Sequence, residues 1–168
     1  PIAGQFAALK TDGRWVDEMV LKGPIAMKFA LGENPKSVYN ERKETPVTRM
    51  ATAAIIRENL AKAQEYQDKQ SKGEEDPDED VPDYDAKLEA LAPVVTGALP
   101  AHFHAHRADD IATAVRISGE FGLKLVVVHG TEGYLVPELL AQSNVPVITG
   151  PCLTDRSKPE LVGQTLSN

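Results

Sequence analysis

From Pro100 to Gly150 the chain alternates short apolar runs with amphipathic stretches, and this rhythm constrains the fold more than any other feature. Ala101-His102-Phe103-His104-Ala105 reads as an extended segment. Asp109 is then a candidate cap for a helix carrying Ile111, Ala114, Val115, Ser118 and Phe121 on one side, closed by Gly122. The next run, Leu123 to Val128, is nearly all apolar, as expected of a parallel strand buried on both faces. A shorter helix around Tyr134 to Gln142 and a strand from Val145 to Thr149 complete the pattern. Strand, helix, strand, helix, strand predicts right-handed βαβ units on a parallel sheet, whose ligand sites lie at the C-terminal ends of the strands.

The first half is less regular. Gly4 to Lys10 reads as a short buried strand ending at the Asp12-Gly13 turn, followed by a short helix from Trp15 to Leu21. Ile25 to Leu31 predicts a second strand, stopped by Gly32 and Pro35 in a loop, Gly32-Glu33-Asn34-Pro35. Thr45 is a candidate cap, with Pro46 at the first helical position, for a long helix reaching about Ser71. Residues Glu74 to Asp83 form an acidic block that its own repulsion and two prolines keep from regular structure, so a solubilising loop is expected. Asp83 or Asp85 then caps a second helix ending near Gly97. The fold class is α/β, built of parallel βα units. A (β/α)8 barrel takes about 250 residues, so this chain is expected to form an open sheet or an incomplete barrel. Residues 1–168 are read as one partial barrel domain, with a helical and acidic-loop insertion over about 39–97.

A length of 168 residues is enough to bury one sizeable core. No run of eighteen apolar residues could span a membrane. The net charge of -7 argues against broad binding to nucleic acid or anionic lipid, which needs clustered Lys and Arg. The single cysteine, Cys152, excludes an intrachain disulfide and favours a reducing, cytoplasmic setting. As a nucleophile Cys152 is disfavoured, because Pro151 precedes it and no histidine is near in sequence. The chain starts on Pro1 and stops on a polar run, so it is expected to be a piece of something longer.

Three of the 4 histidines lie in the His102 to His106 stretch, where alternation would put them on one face. The fourth, His129, ends the next strand, just before Gly130. Neutral imidazoles at adjacent strand ends can share one ion at about 2.0–2.1 Å. On the residues alone, histidines that are exposed or bonded for structural reasons are the more ordinary outcome, and His102, near the strand start, is the expected bystander. Lys28 ends an apolar strand, where burial could make it a base, a Schiff-base former or a carbamate. The plainer reading lets its head reach solvent. Glu33 at the same rim is a candidate ligand or base, against the ordinary alternative of a solvated loop carboxylate. Tyr39 to Pro46 with Thr48 and Arg49 could hold substrate anions, although a helix cap with surface charges explains the block more simply.

Taken together, Lys28-Phe29-Ala30-Leu31-Gly32-Glu33-Asn34-Pro35-Lys36, Thr45-Pro46-Val47-Thr48-Arg49-Met50, His104 to Ile111, His129-Gly130-Thr131-Glu132, and Gly150-Pro151 with Asp155 to Glu160 resemble the imidazolonepropionase-like branch of the metal-dependent amidohydrolases. The resemblance covers nearly the whole chain and implies part of a (β/α)8 barrel. It implies that His104 is the fifth-strand metal ligand, His129 the sixth-strand ligand and Lys28 the fourth-strand lysine, a further metal ligand when carbamylated, with Glu33 competing for that role. The ion would be a divalent metal, zinc first. His106 would be catalytic on the substrate side, with Lys28 beside it, and Arg107, Glu33 and Arg49 would contact substrate.

The chain also departs from that family. No His-x-His pair precedes Lys28, and Asp155, after Pro151, is read as lying in the loop where the seventh strand gives way rather than at an eighth-strand end. The chain would correspond to roughly the third through seventh strands. The parent enzyme is expected to hydrolyse C–N bonds of a cyclic amide or peptide-like small molecule, and this segment alone to be inactive. The alternative is a non-catalytic α/β domain for binding or assembly. Edge strands left without neighbours predict self-association or a partner chain that completes the barrel.

Overall fold

The computed structural model describes residues 1–76, 78, 80–150 and 159–162. Cys152, Asp155 and most of the motif that begins at Gly150 lie outside the described residues. A five-stranded sheet runs in the order β1 (Ile2–Leu9), β2 (Val20–Ala30), β3 (Ala101–Ala105), β4 (Leu125–His129) and β5 (Val147–Thr149). The pairs β2·β3, β3·β4 and β4·β5 are parallel, and β1 is antiparallel to β2. A four-residue helix, α1 (Val16–Met19), lies between β1 and β2. The crossover from β2 to β3 is long and holds α2 (Glu33–Glu41), α3 (Arg49–Glu75) and α4 (Ala86–Val95). Helices α5 (Ala108–Phe121) and α6 (Pro137–Gln142) make the last two crossovers. The expected α/β architecture of parallel βα units is therefore what the chain forms, as a curved piece of barrel wall would require.

Alternation along the strands sorts the two faces. Met27, Phe29, Ala101, Phe103, Ala105, Leu125 and Val127 are all buried on the face that meets the helices. The Phe29 and Phe103 rings stack there at 4.6 Å, and truncating such a ring costs about 3–5 kcal/mol. Helix α3 answers with Ala53, Ile56, Leu60 and Ala63, spaced three or four apart, and α5 with Ile111, Ala114 and Ile117. The opposite face carries two rows in register: Lys28, His102 and Val126, then Ala30, His104, Val128 and Ile148. Burial fades along it, and Ile148 on the last strand is exposed.

Local departures from the sequence reading have physical causes. The first strand is mostly exposed rather than buried, because it hairpins onto the sheet edge through the connection that holds α1. The expected loop at Glu33 is instead the start of α2. Pro35 sits in its first turn, where a missing N–H has no partner to lose. Helix α3 begins at Arg49, so its cap is Thr48, whose Oγ1 accepts the Ala51 N–H at 3.1 Å, and Thr45 and Pro46 lie ahead of it. The helix runs on to Glu75, into the acidic block. Asp85 caps α4 as expected, accepting from Lys87 and Leu88. Gly122 closes α5 in the left-handed conformation, but the helix starts at Ala108, which puts Asp109 in the first turn.

Candidate metal centre

His104 is the last interior-facing residue of β3, and His106 stands two residues on, past the strand end. His129 should face away from both, since it pairs in register with Ala105, whose side chain lies on the helix face. Its backbone resolves the conflict. His129 adopts φ 77°, a left-handed conformation rare for a residue with a side chain, and Gly130 comes next at φ 55°. The turn swings the imidazole to the His104 side, where its ring centroid lies 4.7 Å from those of both His104 and His106.

Hydrogen bonds between the two strand ends hold this turn. Gly130 N donates to Ala105 O at 3.0 Å and Glu132 N to His106 O at 2.8 Å. A carboxylate oxygen of Glu132 accepts the Ala108 N–H at 2.8 Å, satisfying one free donor at the start of α5. Glycine is required at 130, where a Cβ would press to 2.7 Å on Val147.

Among the described residues, His104, His106 and His129 form a group able to hold a metal ion, with one ring nitrogen from each lying within 4.8 Å of the others. Tetrahedral coordination at 2.0–2.1 Å separates ligand nitrogens by roughly 3.3 Å, so the rings would draw together around an ion. His104 and His106 are buried, each 4 % exposed. His129 Nδ1 lies 2.5 Å from Gly150 O. A carbonyl only accepts, so Nδ1 carries the proton and Nε2 keeps its lone pair. His106 Nδ1 meets Thr131 Oγ1 at 2.7 Å, and His104 Nε2 meets the Asn34 side-chain amide at 3.1 Å. Each ring thus meets a neutral neighbour, and His129, which donates its second ring nitrogen to a carbonyl, does what is expected of a metal-ligating imidazole.

The remaining candidates surround this group at different depths. Lys28 stands in register with His102, one alternation below Ala30 and His104 on the same face. His102 packs against Phe6 at 5.5 Å, and burial lowers its pKa. It stays one row below the cluster. Arg107 is exposed and bonded to Asp109. Arg49 is engaged by protein carboxylates: its Nε donates to Asp110 Oδ2 at 3.0 Å, and its Nη2 to Glu33 Oε1 at 3.3 Å and Glu160 Oε1 at 3.4 Å. Glu33 also takes Lys36 Nζ at 2.7 Å, and that hydrogen bond holds its pKa below the ordinary carboxylate range. Burial pushes Asp110 and Glu160 up, against the pull of Arg49.

The sequence assigns no role to Asn34, Thr131, Asp110 or Glu160. All four lie inside the motifs that carry the family resemblance, but nothing in their spacing marks them. Only their partners in space, up to 127 residues away, reveal what they do.

Among solved structures, the chain is similar to the crystal structure of an amidohydrolase from Thermotoga maritima MSB8, with 44% sequence identity and a TM-score of 0.92 over 98% of this chain. It spans 43% of that structure's chain. No family model and no curated protein matches it.

Proposed function

We propose that this chain is part of the catalytic barrel of a metal-dependent amidohydrolase of the imidazolonepropionase-like branch. The likeness to the Thermotoga maritima protein supports the superfamily, and the observation that carries the chemistry is the convergence of His104, His106 and His129 through the left-handed backbone at His129. Residues 1–168 form one partial barrel domain, and the helices and acidic loop over about 39–97 belong to the crossover between two barrel strands.

The three imidazoles fit a divalent ion, zinc first, in the borderline-soft nitrogen set that this metal favours. Bound there, the ion would lower the pKa of a water toward about 7 and polarise a scissile carbonyl. The protein's part is to exclude solvent around His104 and His106 and to fix the rings at two strand ends. Lys28 lies on the floor of the same face, as an ammonium or a carbamate. Arg107, at the rim beyond His106, is the residue free of the interior network to meet the substrate. Arg49 and Glu33 act on substrate indirectly, by shaping the wall.

The substrate is a small molecule with a C–N bond in a cyclic amide or peptide-like group. The remaining ligands come from barrel strands outside this segment, so the segment by itself is inactive. Self-association or a completing chain would cover the half-open interior face. No helix among the described residues is long and apolar enough to cross a membrane, and a cytoplasmic location accords with a single cysteine.

Calorimetric zinc titration of the intact protein tests this reading. The double variant His104→Ala, His129→Ala should lose affinity by on the order of 100-fold or more, and hydrolysis with it. Unchanged affinity in the double variant would refute the centre.

A further inference from the structure

We propose that Glu160 is a positioning residue for the histidine centre, acting through Asn34; the inference rests on the metal reading of the three histidines. Glu160 lies in a short 3-10 turn (Pro159–Leu161), far along the chain from β2, yet its side chain is 2 % exposed. Its Oε1 accepts the N–H of Glu33, the first residue of α2, at 2.7 Å. The neighbouring residue, Asn34, puts its side-chain amide on His104 Nε2 at 3.1 Å. Glu160 is therefore two steps from a ligating ring: carboxylate to backbone amide, then side-chain amide to imidazole.

The seat for this carboxylate is built into the backbone. Gly32 has φ 75°, and a Cβ there would overlap Glu160 Oε1 and come within 3.0 Å of Asp110 Oδ2. Arg49 closes the seat from α3, with Asp110 from α5 beside it. Four segments far apart in sequence thus meet at the one peptide that precedes Asn34. Among the described residues Glu160 Oε2 has no hydrogen-bond partner, and Oε1 makes the contacts to Glu33 N and Arg49 that seat the carboxylate.

With the Asn34 amide oriented so that its Oδ1 accepts the Nε2–H, the His104 ring is fixed in rotation and in the tautomer that leaves Nδ1 to ligate, which is the part that outer partners play for ligating histidines. A loosened α2 start would let Asn34 drift and the ring turn.

The test uses the intact protein loaded with cobalt(II), read by calorimetric affinity and by the visible ligand-field spectrum. Asn34→Ala and Glu160→Ala should each weaken cobalt binding by about ten-fold and alter the spectrum. The double variant should be no weaker than Asn34→Ala alone, because both act on one ring. Glu160→Gln keeps an oxygen for the Glu33 amide and should restore affinity and spectrum. Glu160→Asp, which retains the charge but not the reach, should not. Additive losses, an unchanged or tightened Asn34→Ala, or a Glu160→Gln as impaired as Glu160→Ala would each overturn the proposal. If the unsubstituted protein binds no cobalt or zinc, the metal reading itself falls. Normal binding with silent Glu160 variants removes the positioning role alone.

Discussion

The histidine group and the arginine–carboxylate group stand at the same C-terminal rim of the sheet and are built from opposite materials. His104, His106 and His129 meet an amide, a hydroxyl and a carbonyl, all neutral. Arg49, Glu33, Asp110, Glu160 and Lys36 direct their charges at one another. The first arrangement is able to hold a metal ion; the second ties α2, α3, α5 and the 3-10 turn together. Charge alone therefore does not mark the reactive place at this rim. The cluster with more charge is the scaffold, and the one with less is the candidate centre.

Removing the shared cation should break this contrast most forcefully. Arg49→Met leaves Asp110 and Glu160 buried without compensation, and should destabilise the protein by about 3 kcal/mol in urea unfolding. A loss below about 1 kcal/mol would make the network ordinary surface charge.

The pH dependence should be smaller and of definite sign. Burial raises Asp110 and Glu160 in the folded state, so folded protein holds more protons than unfolded chain from about pH 4 up to the raised values. Their contribution is fully present below that window and is lost as pH rises through it. Glu33, lowered by Lys36, runs the other way: its contribution is present above about pH 4 and lost as pH falls through its lowered value. Urea midpoints measured from acid to neutral pH should decline across the first window, and the pair Asp110→Asn, Glu160→Gln should flatten that decline.

The smallest effect sharpens the comparison within the same two helices. Arg57 and Glu120 also bridge α3 and α5 with two hydrogen bonds, but both are about a third exposed. Arg57→Ala should cost about 0.5 kcal/mol in the same assay, well under the Arg49 variant, and a cost equal to that of Arg49 would show that depth does not separate the two pairs.

Much of this architecture is legible in the sequence, and the limits are physical. The run Leu123 to Val128 and the helical spacing after Asp109 announce parallel βα units, because burial on both faces leaves a continuous apolar stretch. His104 and His129 stand out in the sequence as residues that meet. His106 reads there as a rim residue beside them, whereas the fold brings its ring into the group. Alternation alone turns His129 toward the helices, since the left-handed turn that redirects it has no period to read. The Glu160 to Glu33 bond is invisible for another reason: it joins residues whose neighbourhood exists only after the sheet has formed. Thr45 looks like a better cap than Thr48 because Pro46 comes next, yet it is Thr48 Oγ1 that accepts the Ala51 N–H and caps the helix.

The left-handed backbone at His129 has an implication for anyone improving this protein. An L residue at such a conformation costs of order 1–3 kcal/mol, and a glycine would relieve it. A screen that selects for thermal endurance alone would therefore favour erasing the imidazole at this position, and would enrich sturdier molecules that lack one of the three clustered rings. Under the proposed metal reading, residue 129 is where selection for durability and selection for chemistry part ways.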